Sequence, residues 1–305
     1  MKRAWRGLTA AFLVVLTVWA SGGFTQTASS EGESVIAPGA KLEKLPGAFN
    51  FTEGPVADER GNVYFSDYRN NRICMWSVEG VLSVFLADAW GPDGLDIDRD
   101  GRIISTATNT HAILAIDPKT KAVEVLADTY GGKPLNSPND LWRDKKGGIY
   151  FTDPRFVSLP FPPEQDVMGV YYLSPDRKSL IRVIGDLKKP NGVTGSPDEK
   201  LLYVDDTAVE KTFVYTIAHD GTLSNRREFA PVGYDGLTTD DRGNVYITGK
   251  GVFVYSPSGN LLEHIAVPEQ PTNVCFGGKD RKTLFITTLR TSVYTLKMRV
   301  RGSPR

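Results

Sequence analysis

The sequence predicts an all-β protein, a six-bladed β-propeller with four-stranded antiparallel blades. Two observations carry this reading. A phrase made of a tight turn and a β-branched, aromatic run occurs six times. The copies also recur at roughly 40–50 residues, the length of one propeller blade. The first copy runs Asp58-Glu-Arg-Gly-Asn-Val-Tyr-Phe-Ser-Asp67, and the others begin at Asp98, Asp144, Asp198, Asp240 and Asp280. Their matching apolar positions are Val63, Ile103, Ile149, Leu202, Val245 and Leu284, at intervals of 40, 46, 53, 43 and 39 residues.

Within each copy the Asp and Gly residues make the turn, with glycine free to take positive φ. The Val, Ile, Tyr and Phe that follow suit a strand. A further alternating segment comes next, such as Gly169-Val-Tyr-Tyr-Leu173 or Gly251-Val-Phe-Val-Tyr255. No stretch holds a long helical period. The segment Ala40 to Leu45 is expected to pair with the last blade and close the ring, which removes exposed sheet edges. The longest interval contains Pro154-Arg-Phe-Val-Ser-Leu-Pro-Phe-Pro-Pro163, too proline-rich for a central strand. It reads as a loop, either a binding loop or a rigid surface excursion. The propeller is assigned to residues 36–300.

The N-terminus has the three parts of a secretory signal peptide. Lys2, Arg3 and Arg6 form a basic start, an apolar run follows from Leu8 to Ala20, and small and polar residues follow to Ser30. The apolar run falls short of the roughly 20 residues that span a bilayer. Residues 1–28 are therefore read as a signal, with cleavage after Gly22 or Ala28. The mature chain is expected outside the cytoplasm, periplasmic or secreted, with no stable membrane span. The alternative is an uncleaved anchor.

The chain has 305 residues, 40% of them hydrophobic, and a formal net charge of zero. That describes an ordinary globule. Without a basic excess or a Lys/Arg cluster, nucleic acid is not an expected partner. The two cysteines, Cys74 and Cys275, have no second cysteine or histidine at metal-ligand spacing and read as two buried thiols, with a disulfide between them the alternative in an exported chain.

A second, shorter phrase precedes each turn. The six copies start at Glu53, Asp93, Asn139, Asn191, Asp235 and Asn273. The innermost strand of each blade lines the propeller axis, so equivalent positions should form a ring around it. All six side chains are oxygen donors, which suits a hard cation such as Ca²⁺, Mg²⁺ or Mn²⁺. Three carboxylates crowded without a cation would raise one another's pKa values. Singly, each Asx residue could equally serve the turn into its strand.

At these residues the sequence resembles the gluconolactonase and senescence-marker-protein (regucalcin) family of six-bladed propellers. The resemblance runs from about Gly47 to Leu296. Its most specific pieces are Phe51-Thr-Glu-Gly-Pro55, Leu135-Asn-Ser-Pro-Asn-Asp140 with Phe151-Thr-Asp-Pro154, and Pro190-Asn-Gly192. Asp235-Gly236 and Pro271-Thr-Asn-Val274 complete the set. The resemblance implies one divalent metal held by Glu53, Asn191 and Asp235, with Ca²⁺ the first choice and Mg²⁺, Mn²⁺ or Zn²⁺ the alternatives. It places Asn139 beside the metal, in contact with substrate or water. Asp235 is the candidate for activating the attacking water; because a carboxylate that also binds the metal is a poor base, the alternative is a metal-bound hydroxide with Asp235 as its acceptor. Asp93 and Asp153 are candidate substrate contacts. Asp153 and Asp205 also end strands, so a structural turn fits them equally well.

The chain departs from the family in one place. Asn136 and Ser137 precede Pro138-Asn139, where some members carry an arginine that contacts sugar, which puts gluconate-type specificity in doubt. His111 and His219 do not fall on the ring. No Ser-His-Asp arrangement or Gly-x-Ser-x-Gly elbow is present, so a serine-hydrolase mechanism is not expected. The resemblance therefore implies metal-dependent hydrolysis of a small cyclic ester, a sugar lactone above all. The alternatives are organophosphate or other ester hydrolysis on the same metal, and a non-catalytic calcium-bound binding propeller.

Overall fold

Six four-stranded antiparallel sheets follow one another along the chain, each from one copy of the repeated phrase. Blade I comprises Thr52–Ala57, Val63–Asp67, Arg72–Trp76 and Leu82–Ala87. Blade II comprises Pro92–Ile97, Ile103–Ala107, Ala112–Ile116 and Val123–Ala127. Blade III comprises Leu141–Arg143, Ile149–Asp153, Gly169–Leu173 and Leu180–Ile184. Blade IV comprises Pro190–Gly195, Leu201–Asp206, Lys211–Ile217 and Leu223–Ala230. Blade V comprises Leu237–Thr239, Val245–Gly249, Gly251–Tyr255 and Leu261–Ile265. Blade VI comprises Pro271–Gly277, Thr283–Thr288 and Val293–Lys297. Its fourth strand is Glu43–Lys44, from the other end of the chain, with Glu43 opposite Thr295 and Lys44 opposite Tyr294. The expected closure is thus present.

This computed structural model describes Met1 and residues 34–156 and 162–304. The predicted signal peptide beyond Met1, and residues 157–161 of the proline-rich loop, lie outside the described residues. Residues Ser34–Arg305 form a single compact unit. Among the described residues there is no α-helix, only a 3-10 turn at Tyr68–Asn70. No helix among them is long and apolar enough to cross a membrane.

Alternation along the strands explains the packing. Side chains on successive residues point to opposite faces, so each blade offers one apolar face to the blade before it and one to the blade after. Blades I and II meet at Val56, Ile73, Leu95 and Ile103. Blades III and IV meet at Trp142, Tyr150, Val193 and Val204. Blades VI and I meet at Phe285, Val63, Phe65, Cys74 and Cys275, and both cysteines are buried there. Tyr150, Tyr171, Tyr203 and Tyr246 are wholly buried, and each aromatic ring removes about 150–250 Å² from water. The second strand of most blades is buried on both faces and reads as a near-continuous apolar run, whereas the outermost strands keep exposed residues.

Three repeated polar devices fix the inner strands. The first turn residue closes the hairpin in four blades: Asp58, Asp98, Asp144 and Asp240 accept backbone N–H groups four residues on. A hydroxyl on the second strand then reaches a carbonyl at the start of an inner strand. Ser66 donates to Asp93 O at 2.7 Å and Thr106 to Asn139 O at 2.7 Å, each in the next blade. Thr248 donates to Gly236 O at 2.9 Å within its own blade. Finally, Asp67, Asp153 and Asp206 at the ends of second strands accept N–H groups from the chain entering the inner strand. Glycine after the ring residue lets neighbouring inner strands touch. A Cβ on Gly192 would lie 2.2 Å from Asp235 O, and one on Gly94 would lie 2.7 Å from Asn139 O. Past the downstream end of the blade V inner strand, Gly302 pairs with Asp240 and Ser303 N donates to Thr239 O.

Candidate active site

The six predicted ring residues lie at the upstream ends of the six inner strands. Glu53, Asp93, Asn191 and Asn273 are within those strands, whereas Asn139 and Asp235 sit two residues ahead of theirs. Glu53, Asp93, Asn139, Asn191 and Asn273 are buried, and Asp235 is partly open to solvent. The fold therefore turns six polar groups, far apart in sequence, onto one axis.

Their partners divide them. Asn139 Nδ2 donates to Asp93 Oδ2 at 2.8 Å. Asn273 Oδ1 is taken by its neighbour's Val274 N–H at 2.8 Å, which accounts for that side chain as a strand-entry turn. Glu53 Oε2 accepts the Gly54 N–H at 3.0 Å. Asn191 Oδ1 is buried and has no hydrogen-bond partner. A buried acceptor left unpaired costs about 1–3 kcal/mol, which a bound cation or water on this atom would offset.

The electrostatics point the same way. Burial pushes Glu53 well above the usual carboxylate range, and the charges of Asp235 and Asp93 push it further. Burial does the same to Asp235, with Asp93 and Asp140 adding and the Asn191 and Glu53 side chains pulling back. Asp93 is raised by burial and by Asp140, against the Asn139 amide. The charges that act on them most strongly are other carboxylates, Asp93, Asp140 and Asp235. A cation held between Glu53, Asp235 and the Asn191 oxygen would relieve both the repulsion and the unpaired acceptor. These residues fit a hard divalent ion. Among the described residues no group of three or more His, Cys, Asp or Glu side chains is placed to hold a metal. This set relies instead on two carboxylates and a carboxamide.

Asp140 is a residue that the ring alignment passed over. It stands where four of the other blades have glycine, and its Oδ2 accepts the Val193 N–H of the next blade at 3.2 Å. It thereby ties two inner strands together and adds a fourth carboxylate beneath the ring. The signal was Asn139-Asp140 in place of an Asx-Gly or Glu-Gly pair.

Asp153, a candidate substrate contact, has another place. It is wholly buried, and its two oxygens accept Asn136 N–H at 2.8 Å and Ser137 N–H at 2.7 Å. It holds the entry loop of blade III, as Asp206 holds that of blade IV. Burial raises its pKa to about 7 against the pull of those two donors. Asp205 occupies the position of the second-strand Ser or Thr in the other blades. It is buried, accepts Thr212 Oγ1 at 2.6 Å and leaves Oδ2 without a partner. His111 Nδ1 lies 2.8 Å from Leu135 O, and His219 is exposed.

The family model for the SMP-30/gluconolactonase/LRE-like region matches residues 51–290, which contain the whole ring. The chain belongs to this family. It is 33% identical over 290 residues to the gluconolactonase of Zymomonas mobilis subsp. mobilis, covering 84% of this chain and 81% of that protein. It is 28% identical over 235 residues to lactonase drp35 of Staphylococcus haemolyticus, covering 71% and 69%. Among solved structures, a gluconolactonase of Xanthomonas campestris superposes with a TM-score of 0.81 at 32% identity, covering 87% of this chain and 91% of that one. A calcium-binding regucalcin of Agrobacterium tumefaciens superposes with a TM-score of 0.73 at 18% identity, covering 87% and 95%, and shares the fold.

Proposed function

We propose that this family member is a metal-dependent lactonase acting on a sugar lactone. It is a hydrolase of cyclic esters, like the gluconolactonase and lactonases it resembles. The observation that carries the metal is the Asn191 Oδ1 atom, buried and unpaired beside two crowded carboxylates. Glu53, Asn191 and Asp235 would hold the ion, Ca²⁺ by preference for an all-oxygen set. When bound, it would polarise the lactone carbonyl and stabilise the charge that develops on its oxygen.

The chain's own groups supply the rest. Asp235 would take the proton of an attacking water, since it is the one acidic ring residue that is not wholly buried. Asn139 donates one amide N–H to Asp93, which leaves its second N–H for the substrate carbonyl oxygen. Water adds to the carbonyl carbon, the ring C–O bond breaks, and the proton held by Asp235 passes to the leaving ring oxygen. The product is the open hydroxy acid.

Hydrolysis of an aldonolactone panel, followed by proton release with and without chelator, tests this reading. Glu53→Gln and Asp235→Asn should each lower turnover on the order of 10²-fold or more and weaken metal binding together. Retained hydrolysis in both variants removes the assignment. No turnover of any lactone by a folded, metal-bound protein would favour an ester or organophosphate substrate, or a binding role. We further propose that the chain is exported, on the basic and apolar N-terminal pattern. N-terminal sequencing of the protein recovered outside the cytoplasm should begin at Gly23 or Ser29.

A further inference from the structure

Phe51 has a backbone conformation that its side chain makes costly. Its φ is +68°, in the left-handed region, and Gly91 has the same φ of +68°. Each lies two residues ahead of a ring carboxylate, Glu53 or Asp93. Blade II meets the requirement with glycine, whereas blade I keeps a large aromatic ring there against the steric cost. Strain of this kind is retained where a side chain is needed in that place.

The surroundings indicate what it is needed for. Phe51 is partly exposed at the upper mouth, and Tyr68 packs on it with ring centroids 5.4 Å apart and an interplanar angle of 54°. The Tyr68 hydroxyl lies 3.3 Å from Thr108 Oγ1, which donates to Gly91 O at 2.8 Å. The pair thus bridges the starts of blades I and II, above Glu53 and Asp93. Burial raises the Tyr68 phenol pKa and the Asp93 carboxylate adds to it, which places the two within electrostatic reach. The exposed Arg69 guanidinium lies 5.7 Å from the Phe51 ring centroid, and among the described residues it has no carboxylate partner. An aromatic surface beside an unpaired guanidinium matches a ring with C–H bonds on one face and hydroxyl groups at its edge.

We propose that Phe51, Tyr68 and Arg69 form a carbohydrate subsite at the mouth of the metal ring. The aromatic pair packs against the C–H face of a six-membered sugar lactone, and Arg69 donates to its hydroxyl oxygens. The proposal rests on the lactonase reading for its substrate, but the recognition surface can be read separately. The variants are Phe51→Leu, which keeps apolar bulk without an aromatic face, and Phe51→Gly, which also relieves the backbone. Arg69→Met removes the guanidinium.

Three readouts apply: kcat and KM for glucono-δ-lactone, calorimetric Ca²⁺ affinity, and binding of 1,5-anhydroglucitol, a sugar ring without the carbonyl. Phe51→Leu and Phe51→Gly should each raise KM about five- to tenfold with kcat and Ca²⁺ affinity held within twofold, and weaken 1,5-anhydroglucitol to the same degree. Arg69→Met should do so for both sugars. Phe51→Gly should melt no lower than Phe51→Leu, because glycine adopts φ +68° freely. If the wild type hydrolyses no lactone yet loses 1,5-anhydroglucitol binding in Phe51→Leu, the subsite stands and the lactonase reading fails. Unchanged KM and sugar binding in both Phe51 variants overturns the subsite. A KM change matched by an equal loss of Ca²⁺ affinity also overturns it, since Phe51 would then act only through Glu53.

Discussion

Asp153 separates two roles that look alike in a sequence. A carboxylate at a strand end beside the axis can touch substrate, or it can hold a loop. Here both of its oxygens are taken by the Asn136 and Ser137 N–H groups, at 2.8 and 2.7 Å. Its pKa in the folded chain is about 7, above its ordinary carboxylate value. A raised carboxyl contributes stability that is full below the unfolded pKa, near 4, and is lost as pH rises through about 7. From this group alone the wild type should lose about 2–3 kcal/mol between pH 5 and pH 8. Urea unfolding of Asp153→Asn at the two pH values should show a correspondingly smaller decline. Equal declines in wild type and variant would show that Asp153 is ionised throughout. Turnover should be limited by this substitution only through stability, in contrast to Glu53 and Asp235.

At the scale of the strand, glycine decides how closely the blades meet at the axis. Gly192 lies against Asp235 O, and an added methyl group there would sit 2.2 Å from that backbone atom. The contact is to main chain, so no rotamer change can relieve it. Gly192→Ala should cost about 1–3 kcal/mol and shift Asp235 away from Asn191, lowering both Tm and turnover. A variant with native Tm and native kcat/KM would mean that the two inner strands are not so tightly coupled. The hydroxyl ties act on the same strands from the other side. Ser66 and Thr106 fix the carbonyls of Asp93 and Asn139, so the ring side chains project from strands held at both neighbours.

For the whole molecule, the ring concentrates negative charge at one end of the channel. Without a cation, Glu53 and Asp235 keep protons in the folded state above the pH at which the unfolded chain releases them. Their contribution to stability is therefore present at low pH and declines as pH rises through their raised folded values. A divalent metal competes with those protons, so its affinity should rise with pH. The increase in Tm on adding excess Ca²⁺ should be larger at pH 8 than at pH 5.5, because a ligand of the native state at free concentration L stabilises by RT ln(1 + L/Kd), which grows as Kd falls. A Tm insensitive to Ca²⁺ at both values would argue against metal at these residues.

The sequence alone determined the blade number, the strand phrases and the closure of the ring by the segment Ala40 to Leu45. Each depends on local alternation and turn chemistry, and repetition made the period visible six times. It also placed the six ring positions, because equivalent residues of a closed repeat must share an axis. What it left open depended on which partner each oxygen meets. Asp153 and Asp93 are the same residue type at comparable distance from a turn, yet one accepts two loop N–H groups and the other an amide across the ring. Asp140 reads as a substitute for glycine until its carboxylate is seen to accept the Val193 N–H of the next blade. Phe51 reads as an ordinary aromatic until its positive φ appears. Hydrogen-bond partners, burial and backbone angles arise from contacts between blades, and those contacts exist only once the ring has closed.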